Sequence, residues 1–260
     1  MAADDAADHP SAIEDIYAGR LDGISVRGVF STEEMAAAVE RIRTHADEFV
    51  DHGTTIMFGT ALVGSQDDRS DYYAGTATIT DRIGDWFDRS FVDRVGSIFS
   101  AFAGGRPAVV PSEAGRGDYT PATVRFLPPD RGVMHAHTAN EFCNVWDSYS
   151  HLRQIAVMWN SLSYFVVGQA PDEGGDLVLY DLMWDDTPDD VLALSMSPER
   201  DELLERFGTR ATDLRTGDMI VFTGGRIWHR VEPVSGDRER VTIGGFIALA
   251  QDDECVYFWS

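Results

Sequence analysis

The amino-acid sequence predicts an α+β fold in which N-terminal helices pack on a mainly β, antiparallel core. Two observations lead to this prediction. In the first hundred residues, apolar side chains recur at helical spacing over long segments. From about residue 120, short apolar runs are separated by Gly, Pro and Asp. Strands of this length and spacing are typical of a sandwich or a barrel.

Two segments of the N-terminal half have the pattern of amphipathic helices. The stretch STEEMAAAVERIRTHADEFV begins with Ser31 and Glu34 at the spacing of a capping box, and its apolar residues then share one face. The stretch ITDRIGDWFDRSFVDRVGSIFSAF predicts a single second helix with a broad apolar stripe, which ends before Gly104 and Gly105.

The C-terminal half predicts the strands of the core. A helical insertion, SPERDELLERFG, interrupts them. We expect residues 1–12 to form a disordered acidic tail and residues 13–260 to form a single domain. This domain has a helical part at about 13–105, a β core at about 120–250 and an aromatic tail at 251–260. The strand-like runs are ATVRFL, GVMHAH, IAVMWNSLSYFVVG, GDLVLYD, DMIVFT, RIWHRV and RVTIGGFIALA.

Composition and charge exclude several classes of function. The net charge of −23 disfavours nucleic acid and anionic membranes as partners. All 21 basic residues are arginine, so catalysis by a lysine Schiff base is excluded. Two cysteines allow one bridge and do not suggest a disulfide scaffold. No apolar run reaches the roughly 18 residues of a membrane span, and the N-terminus lacks the pattern of a secretory signal. We therefore expect a cytoplasmic protein, which could form a homodimer.

Ligand-type residues occur in two separate strand-like segments of the β core. His135 and His137 stand two residues apart, so in a regular strand both would point to the same face. Far downstream, His229 lies in RIWHRV, and Arg240 and Thr242 share one face of the next run. An arginine inside a β core needs an anionic partner, because an unpaired buried charge is costly. That partner could be an ordinary carboxylate of the protein or a bound anion.

Together these residues resemble the Fe(II)/2-oxoglutarate-dependent oxygenases. The resemblance covers about residues 120–250 and depends mainly on the distal element WHRVEPVSGDRERVTIGGF. It implies a double-stranded β-helix of the jelly-roll or cupin type. It also implies an enzyme that uses O2 and binds Fe(II) through His229. It also implies that Arg240 binds the C5 carboxylate of 2-oxoglutarate, with Thr242 as a helper. Arg238 is the competing arginine, but it lies in the turn SGDRE.

The proximal motif departs from the usual pattern of this family. Ordinary members have His-x-Asp/Glu, which together with the distal histidine forms a two-histidine, one-carboxylate triad. Here Ala139 follows His137 at the position of the carboxylate. This resembles the radical halogenases of the same superfamily, in which a small residue leaves room for chloride or bromide. It implies that His137 and His229 bind iron, with Asn140 beside the halide.

Three alternatives remain open at this point. His135, His137 and His229 could form the three-histidine site of another iron dioxygenase. Glu141 could supply the carboxylate of an ordinary hydroxylase. The protein could also be a non-catalytic binding module in which Arg240 holds an anion.

The expected substrate is a small molecule. The helical N-terminal half, the motif H-x-A-N-E and the aromatic C-terminus are similar to those of small carrier-independent halogenases that act on free amino acids. This resemblance implies a free amino acid or a close relative as substrate. Candidate contacts are Arg125, which could pair with a substrate carboxylate, His135, and Trp259 as part of a lid.

Overall fold

The computed structural model describes residues 1–59, 61–62 and 69–260. Its helices flank a core of two facing sheets. Short 3-10 helices cover Ala3–Asp8, Ala46–Glu48, Asp147–Tyr149 and Trp184–Asp186. The α-helices of the described residues are α1 (Ala12–Tyr17), α2 (Thr32–Arg43), α3 (Ser70–Trp86), α4 (Phe91–Phe102), α5 (Asn140–Cys143), α6 (Ser150–Ile155), α7 (Asp189–Leu192) and α8 (Pro198–Leu204).

The strands run through the whole described chain and are densest after residue 120. In chain order they are β1 (Gly23–Val26), β2 (Val50–Asp51), β3 (Ile56–Phe58), β4 (Ala108–Val109), β5 (Ser112–Glu113), β6 (Gly117–Asp118), β7 (Thr123–Leu127), β8 (Met134–His137), β9 (Leu162–Gln169), β10 (Glu173–Gly174), β11 (Leu177–Met183), β12 (Thr209–Ala211), β13 (Met219–Phe222), β14 (Ile227–Val231), β15 (Val234–Ser235), β16 (Arg240–Leu249) and β17 (Val256–Trp259).

The main strands of the core are divided between a larger and a smaller sheet. Within the described residues, the larger sheet has the order β1-β13-β9-β16-β7-β3-β2, with β17 added to β16 and β4 to β17. The smaller sheet has the order β12-β11-β14-β8. Strands β7, β9, β13 and β16 thus lie in one sheet and β8, β11, β12 and β14 in the other. This is the arrangement of a double-stranded β-helix, and the predicted fold class is confirmed.

Each sheet has an inner face, which is turned toward the other sheet, and an outer face, which helices cover. Apolar side chains of both sheets meet between the inner faces in a buried cluster of Leu177, Leu179, Ile220, Phe222 and Ile227. Because successive residues of a strand point to opposite faces, β16 places Arg240 and Thr242 on the inner face. Its alternate residues, Val241, Ile243 and Ile247, join the core that packs against the N-terminal helices.

The capping box predicted for the first helix is confirmed at the start of α2. The Glu34 backbone N–H donates to Ser31 Oγ at 3.1 Å, and the Ser31 backbone N–H donates to Glu34 Oε2 at 2.7 Å. A cap of this kind contributes about 1 kcal/mol to helix stability. It fixes the start of α2, whose buried residues Met35, Val39 and Ile42 pack on the larger sheet.

The single second helix predicted from periodicity is wrong, because the chain breaks there into α3 and α4. Asp88 and Arg89 have φ values of 49° and 59°, which a continuous right-handed helix does not allow. The break turns Phe87 and Phe91 onto the same partner, and their rings lie 5.5 and 6.0 Å from that of Phe30. Tertiary packing therefore overrides a periodicity that continues through the break.

The N-terminal residues also differ from the predicted disordered tail. Ala3–Asp8 form a 3-10 helix, Ala6 is buried in the main core, and the Met1 ammonium donates to the carbonyl of Ser25 at 3.1 Å. Small alanine side chains let this acidic segment lie close to α4, which its overall charge does not reveal. Among the described residues, no helix is both long and apolar enough to cross a bilayer.

Candidate active site

Two histidines face each other on the inner face of the smaller sheet. His137 at the end of β8 is paired directly with His229 of β14, and the ring centroids lie 4.3 Å apart. The ring of Phe222, from the larger sheet, packs edge-on against His229 at 4.9 Å. His137 and His229, which the sequence predicts to bind iron, therefore lie side by side, and their role as ligands stays a prediction.

Both imidazoles are held with one ring nitrogen free. The Nδ1 of His137 lies 2.8 Å from the carbonyl of His135, and the Nδ1 of His229 lies 2.9 Å from the carbonyl of Ile227. A carbonyl only accepts, so each Nδ1 carries the proton and each Nε2 keeps its lone pair. Burial lowers the pKa of His137 to about 4 and that of His229 well below its ordinary value. Neutral rings, oriented through Nδ1, are what metal ligation requires.

His135 does not share the inner face with His137, contrary to the expectation for a regular strand. A β-bulge between the two sheet partners places Met134, not His135, opposite Val231. The ring of His135 binds the carboxylate of Asp201 instead, with Nδ1 2.8 Å from Oδ2. A three-histidine site would require this contact to break.

Ala139 occupies the position after the proximal histidine where a carboxylate would stand. Its backbone N–H donates to the carbonyl of Gly224 at 2.9 Å, which ties it to the loop that precedes the strand of His229. The methyl group is 2% exposed and carries no ligand atom. Within residues 1–59, 61–62 and 69–260, no group of three or more His, Cys, Asp or Glu side chains could hold a metal ion.

Glu141, the carboxylate considered for a hydroxylase, is engaged elsewhere. Its Oε1 lies 2.8 Å from Arg200 Nη1, and its Oε2 accepts from the backbone N–H of Thr138 at 3.1 Å. Burial raises the pKa of Glu141, and the charge of Arg200 opposes this shift. The carboxylate is thus held by an ion pair and a backbone hydrogen bond.

The side chain of Asn140, predicted to act beside the halide, instead joins two loops. Its Nδ2 donates to Asn160 Oδ1 at 2.9 Å, and its Oδ1 accepts from the Asn160 backbone at 3.1 Å and from Asn144 Nδ2 at 3.2 Å. It is 1% exposed. These contacts fix the start of α5 and use one of the two Nδ2 hydrogens, and a role beside the halide stays a prediction.

Arg240 lies between the sheets without a salt bridge to any described residue. It is 5% exposed, and burial lowers its pKa to about 10, with Asp176 opposing the shift and Arg125 adding to it. Its guanidinium carbon stands 5.0 Å from the ring centre of Phe165. It borders a cavity of about 240 Å³ that also contacts Asp176, Leu177 and Val167.

The neighbourhood of Arg240 favours its role as the anion-binding arginine. Gly175 has φ +70°, and a Cβ there would lie 3.0 Å from the Cδ of Arg240, so a glycine leaves room for the arginine stem. Thr242 follows on the same inner face and is buried. The competing Arg238 is exposed and pairs with Asp172 at 3.2 Å in the turn. A buried guanidinium without a partner is a fitting receptor for a carboxylate.

Arg125 is a second inner-face arginine, placed on β7 directly opposite Thr242. It makes no hydrogen bond or salt bridge with the described residues. Arg125 is half-buried, and burial lowers its pKa. Its charge also lowers the pKa of His137, so it stands close enough to act on the histidine site.

Trp259, expected as part of a lid, is a core residue. It lies in β17 opposite Phe246 of β16 and is 0% exposed. The C-terminal aromatics extend the larger sheet because their alternation continues a strand pattern. Trp259 does belong to the buried cluster that contains Ala139 and Tyr149, so a substrate contact stays a prediction.

Sequence reasoning missed the side chains that support the site from outside. Arg200 and Asp201 of α8, the predicted insertion helix, contact the strand of His137. The sequence places them far from every histidine motif. The only available signal was an adjacent Arg-Asp pair within an otherwise exposed amphipathic helix.

The double-stranded β-helix with two inward imidazoles and a buried arginine is the architecture of the 2-oxoglutarate-dependent non-haem iron oxygenases. The chain is similar to the N-substituted L-amino acid dioxygenase of Burkholderia ambifaria AMMD in complex with alpha-ketoglutarate, at 18% identity, 95% coverage of this chain, 90% of that chain and a TM-score of 0.57. It is also similar to the carbocyclase SnoK from nogalamycin biosynthesis, at 12% identity, 92% and 85% coverage and a TM-score of 0.54. At such identities these likenesses establish the fold.

The sequence identifies the family. Residues 1–260 match the family of the carrier-protein-independent halogenase WelO5, and the chain belongs to this family. No curated protein sequence is significantly similar to it. The protein is therefore an enzyme of the non-haem iron, 2-oxoglutarate-dependent halogenase and oxygenase class, and the hypothesis of a non-catalytic binding module is set aside.

Proposed function

We propose that the protein is an Fe(II)- and 2-oxoglutarate-dependent halogenase that chlorinates an unactivated aliphatic carbon of a free amino acid or a similar small molecule by radical rebound. The observation that carries this proposal is Ala139. A residue without a ligand atom stands beside two paired, neutral imidazoles, where an oxygenase of this fold would have a carboxylate.

The residues present fit the metal and the cosubstrate. His137 and His229 would hold Fe(II) through Nε2, since each Nδ1 is fixed to a backbone carbonyl. Arg240 would bind the C5 carboxylate of 2-oxoglutarate, with Thr242 beside it. Bound Fe(II) and 2-oxoglutarate supply the means to activate O2 for removal of a hydrogen atom from the substrate. The chain itself contributes orientation, exclusion of water and charge.

Ala139 favours a halide for reasons of charge and volume. A carboxylate at this position would fill one coordination position of the metal and add one negative charge, whereas the alanine methyl group does neither. Chloride or bromide can do both. The backbone N–H of Ala139 already donates to the carbonyl of Gly224. The backbone is therefore fixed there, and this N–H is not available to bind the ion.

The charge between the sheets favours a substrate that carries a carboxylate. Arg125 and Arg240 both face inward and neither has an ion-pair partner among the described residues. If 2-oxoglutarate neutralises Arg240, Arg125 is left for another anion, because an unpaired buried charge is costly. The buried hydroxyl of Tyr149 lies near Arg125. A free amino acid offers the required carboxylate.

The proposal is tested by turnover with Fe(II), 2-oxoglutarate, O2 and a pool of amino acids, with and without chloride or bromide. Mass spectrometry should detect products with one hydrogen replaced by the halogen that is supplied. Hydroxylated products alone, in the presence of chloride, would exclude halogenation.

The role of Arg125 is tested on whichever substrate is found. Arg125→Met should raise the KM for the substrate and leave the KM for 2-oxoglutarate within about twofold, because a charge-assisted bond of roughly 1.5–3 kcal/mol is lost only on the substrate side. Arg238→Met, which removes an exposed arginine from the turn that precedes β16, is the matched control. A larger effect on 2-oxoglutarate than on substrate would contradict this assignment.

A further inference from the structure

Two adjacent charged residues of α8, Arg200 and Asp201, contact β8, the strand that carries His137. Arg200 is 3% exposed and Asp201 9% exposed. Asp201 Oδ1 accepts from the Ala136 backbone N–H at 2.8 Å, and Arg200 Nη1 donates to the Ala136 carbonyl at 3.2 Å. The pair therefore binds both backbone groups of the residue that precedes His137.

Arg200 lies on the outer face of the smaller sheet. Its guanidinium carbon stands 5.0 Å from the ring centre of Trp228, and Trp228 packs with Ala136 and the α8 residue Leu204. Because neighbours along a strand point to opposite faces, Trp228 is directed away from the side of β14 that carries His229. Arg200 is thus separated by the sheet from the free ring nitrogens.

Glu141 is drawn toward this outer face by its ion pair with Arg200. Among the residues that follow the proximal motif, it is the first carboxylate along the chain. Its other oxygen already accepts from the backbone of Thr138, the residue between His137 and Ala139. A rotation of the Glu141 side chain, without movement of the backbone, would change where this carboxylate points.

We propose that Arg200 is a specificity-determining positioning residue that holds Glu141 away from the coordination position left free by Ala139. This inference depends on the proposed halogenase function. A buried carboxylate that loses its arginine needs another partner. A divalent metal with an open position, held by the neighbouring histidine, is such a partner. Arg200 thereby keeps that position available to halide.

The experiment measures binding rather than turnover. Fe(II) and then chloride are titrated under anaerobic conditions in the presence of 2-oxoglutarate, and the absorption of the Fe(II)–2-oxoglutarate complex is followed. The variants are Arg200→Met, Glu141→Gln and the double variant, with Arg200→Lys as the charge-conserving control. Thermal melts establish that each variant is folded, and Arg200→Gln replaces Arg200→Met if the latter does not fold.

Arg200→Met should bind Fe(II) about tenfold more tightly and chloride at least about tenfold more weakly than the natural protein, since an added ligand changes both affinities. Glu141→Gln on top of Arg200→Met should restore the chloride response. Arg200→Lys and Glu141→Gln alone should resemble the natural protein.

Equal behaviour of Arg200→Met and the double variant would overturn the inference, as would a loss of Fe(II) binding in Glu141→Gln comparable to that in His137→Ala. The two proposals fail in different ways. If the natural protein shows no chloride response, the halogenase function fails, whereas the Fe(II) affinities of Arg200→Met and the double variant still report whether Arg200 restrains Glu141.

Discussion

Thr242 of β16 lies directly opposite Arg125 of β7, on the sheet face turned toward His137 and His229. Arg240 precedes this pair on the same face. One sheet thus presents two cations and a hydroxyl, while the other presents two neutral imidazoles. The site therefore forms only when both sheets are folded. The two arginines of the larger sheet are the groups that can bind anionic ligands.

Ala139→Asp should redirect the reaction. An aspartate at this position would complete the two-histidine, one-carboxylate set and occupy the halide position. Halogenated product should fall at least about tenfold relative to hydroxylated product, by analogy with ligand changes at metal sites. Product ratios by mass spectrometry check this, with Ala139→Gly as the control that keeps the position free. Unchanged chlorination by the aspartate variant would remove Ala139 from the mechanism.

Arg240→Met should weaken 2-oxoglutarate binding and stabilise the ligand-free protein. Loss of a charge-assisted bond of about 1.5–3 kcal/mol corresponds to an affinity roughly 10- to 150-fold lower. The ligand-free protein should melt at a higher temperature, because a buried guanidinium without a partner is removed. Thermal shifts with and without 2-oxoglutarate measure both effects. Arg238→Met should do neither, and a lower melting temperature in Arg240→Met would indicate an undetected partner.

The stability of the metal-free protein should decline as the pH falls from about 6.5 to about 4. Burial lowers the pKa of His137 to about 4, whereas an unfolded histidine titrates near 6.5. In this range the unfolded chain binds more protons than the folded one, so unfolding becomes easier. His229 acts in the same direction. Urea midpoints measured across this range test the effect, and His137→Gln should show a shallower dependence than the natural protein.

Asn140→Ala should destabilise the fold and leave the ratio of halogenated to hydroxylated product unchanged. The substitution leaves the Asn160 backbone N–H without its acceptor, which costs about 1–3 kcal/mol when the group is buried. Urea denaturation measures the loss. Asn144→Ala removes only the weaker contact at 3.2 Å and serves as the control. A changed product ratio would return Asn140 to the position beside the halide that the sequence suggested.

The pairing of His137 with His229 was implied by the family resemblance, and alternation along a strand predicted which side chains share a face. The same rule failed for His135, since a single extra residue in β8 reverses the facing of everything before it. The local sequence of Met134–His137 does not distinguish a regular strand from a bulged one. The bulge is established by pairing with β14 and by the carboxylate that α8 presents.

Contacts between distant segments explain the other differences. The helix break at Asp88 is set by aromatic packing on Phe30, and the position of Glu141 is set by Arg200 on α8. Both depend on residues far away in the chain, to which local periodicity is insensitive. Arg240 was singled out because a buried charge needs a partner, and only the family resemblance favoured 2-oxoglutarate over a protein carboxylate as that partner.

The hydrogen bonds between α8 and the backbone of Ala136 also have a consequence for solubility. β8 is the last strand of the smaller sheet, so one side of its backbone has no neighbouring strand in the part of the chain that the structure describes. Such an edge can template pairing with another chain. The Ala136 N–H donates to Asp201 and the Ala136 carbonyl accepts from Arg200, so neither backbone group of Ala136 is available to an incoming strand. The strand that presents a metal ligand is thereby shielded against intermolecular β-association.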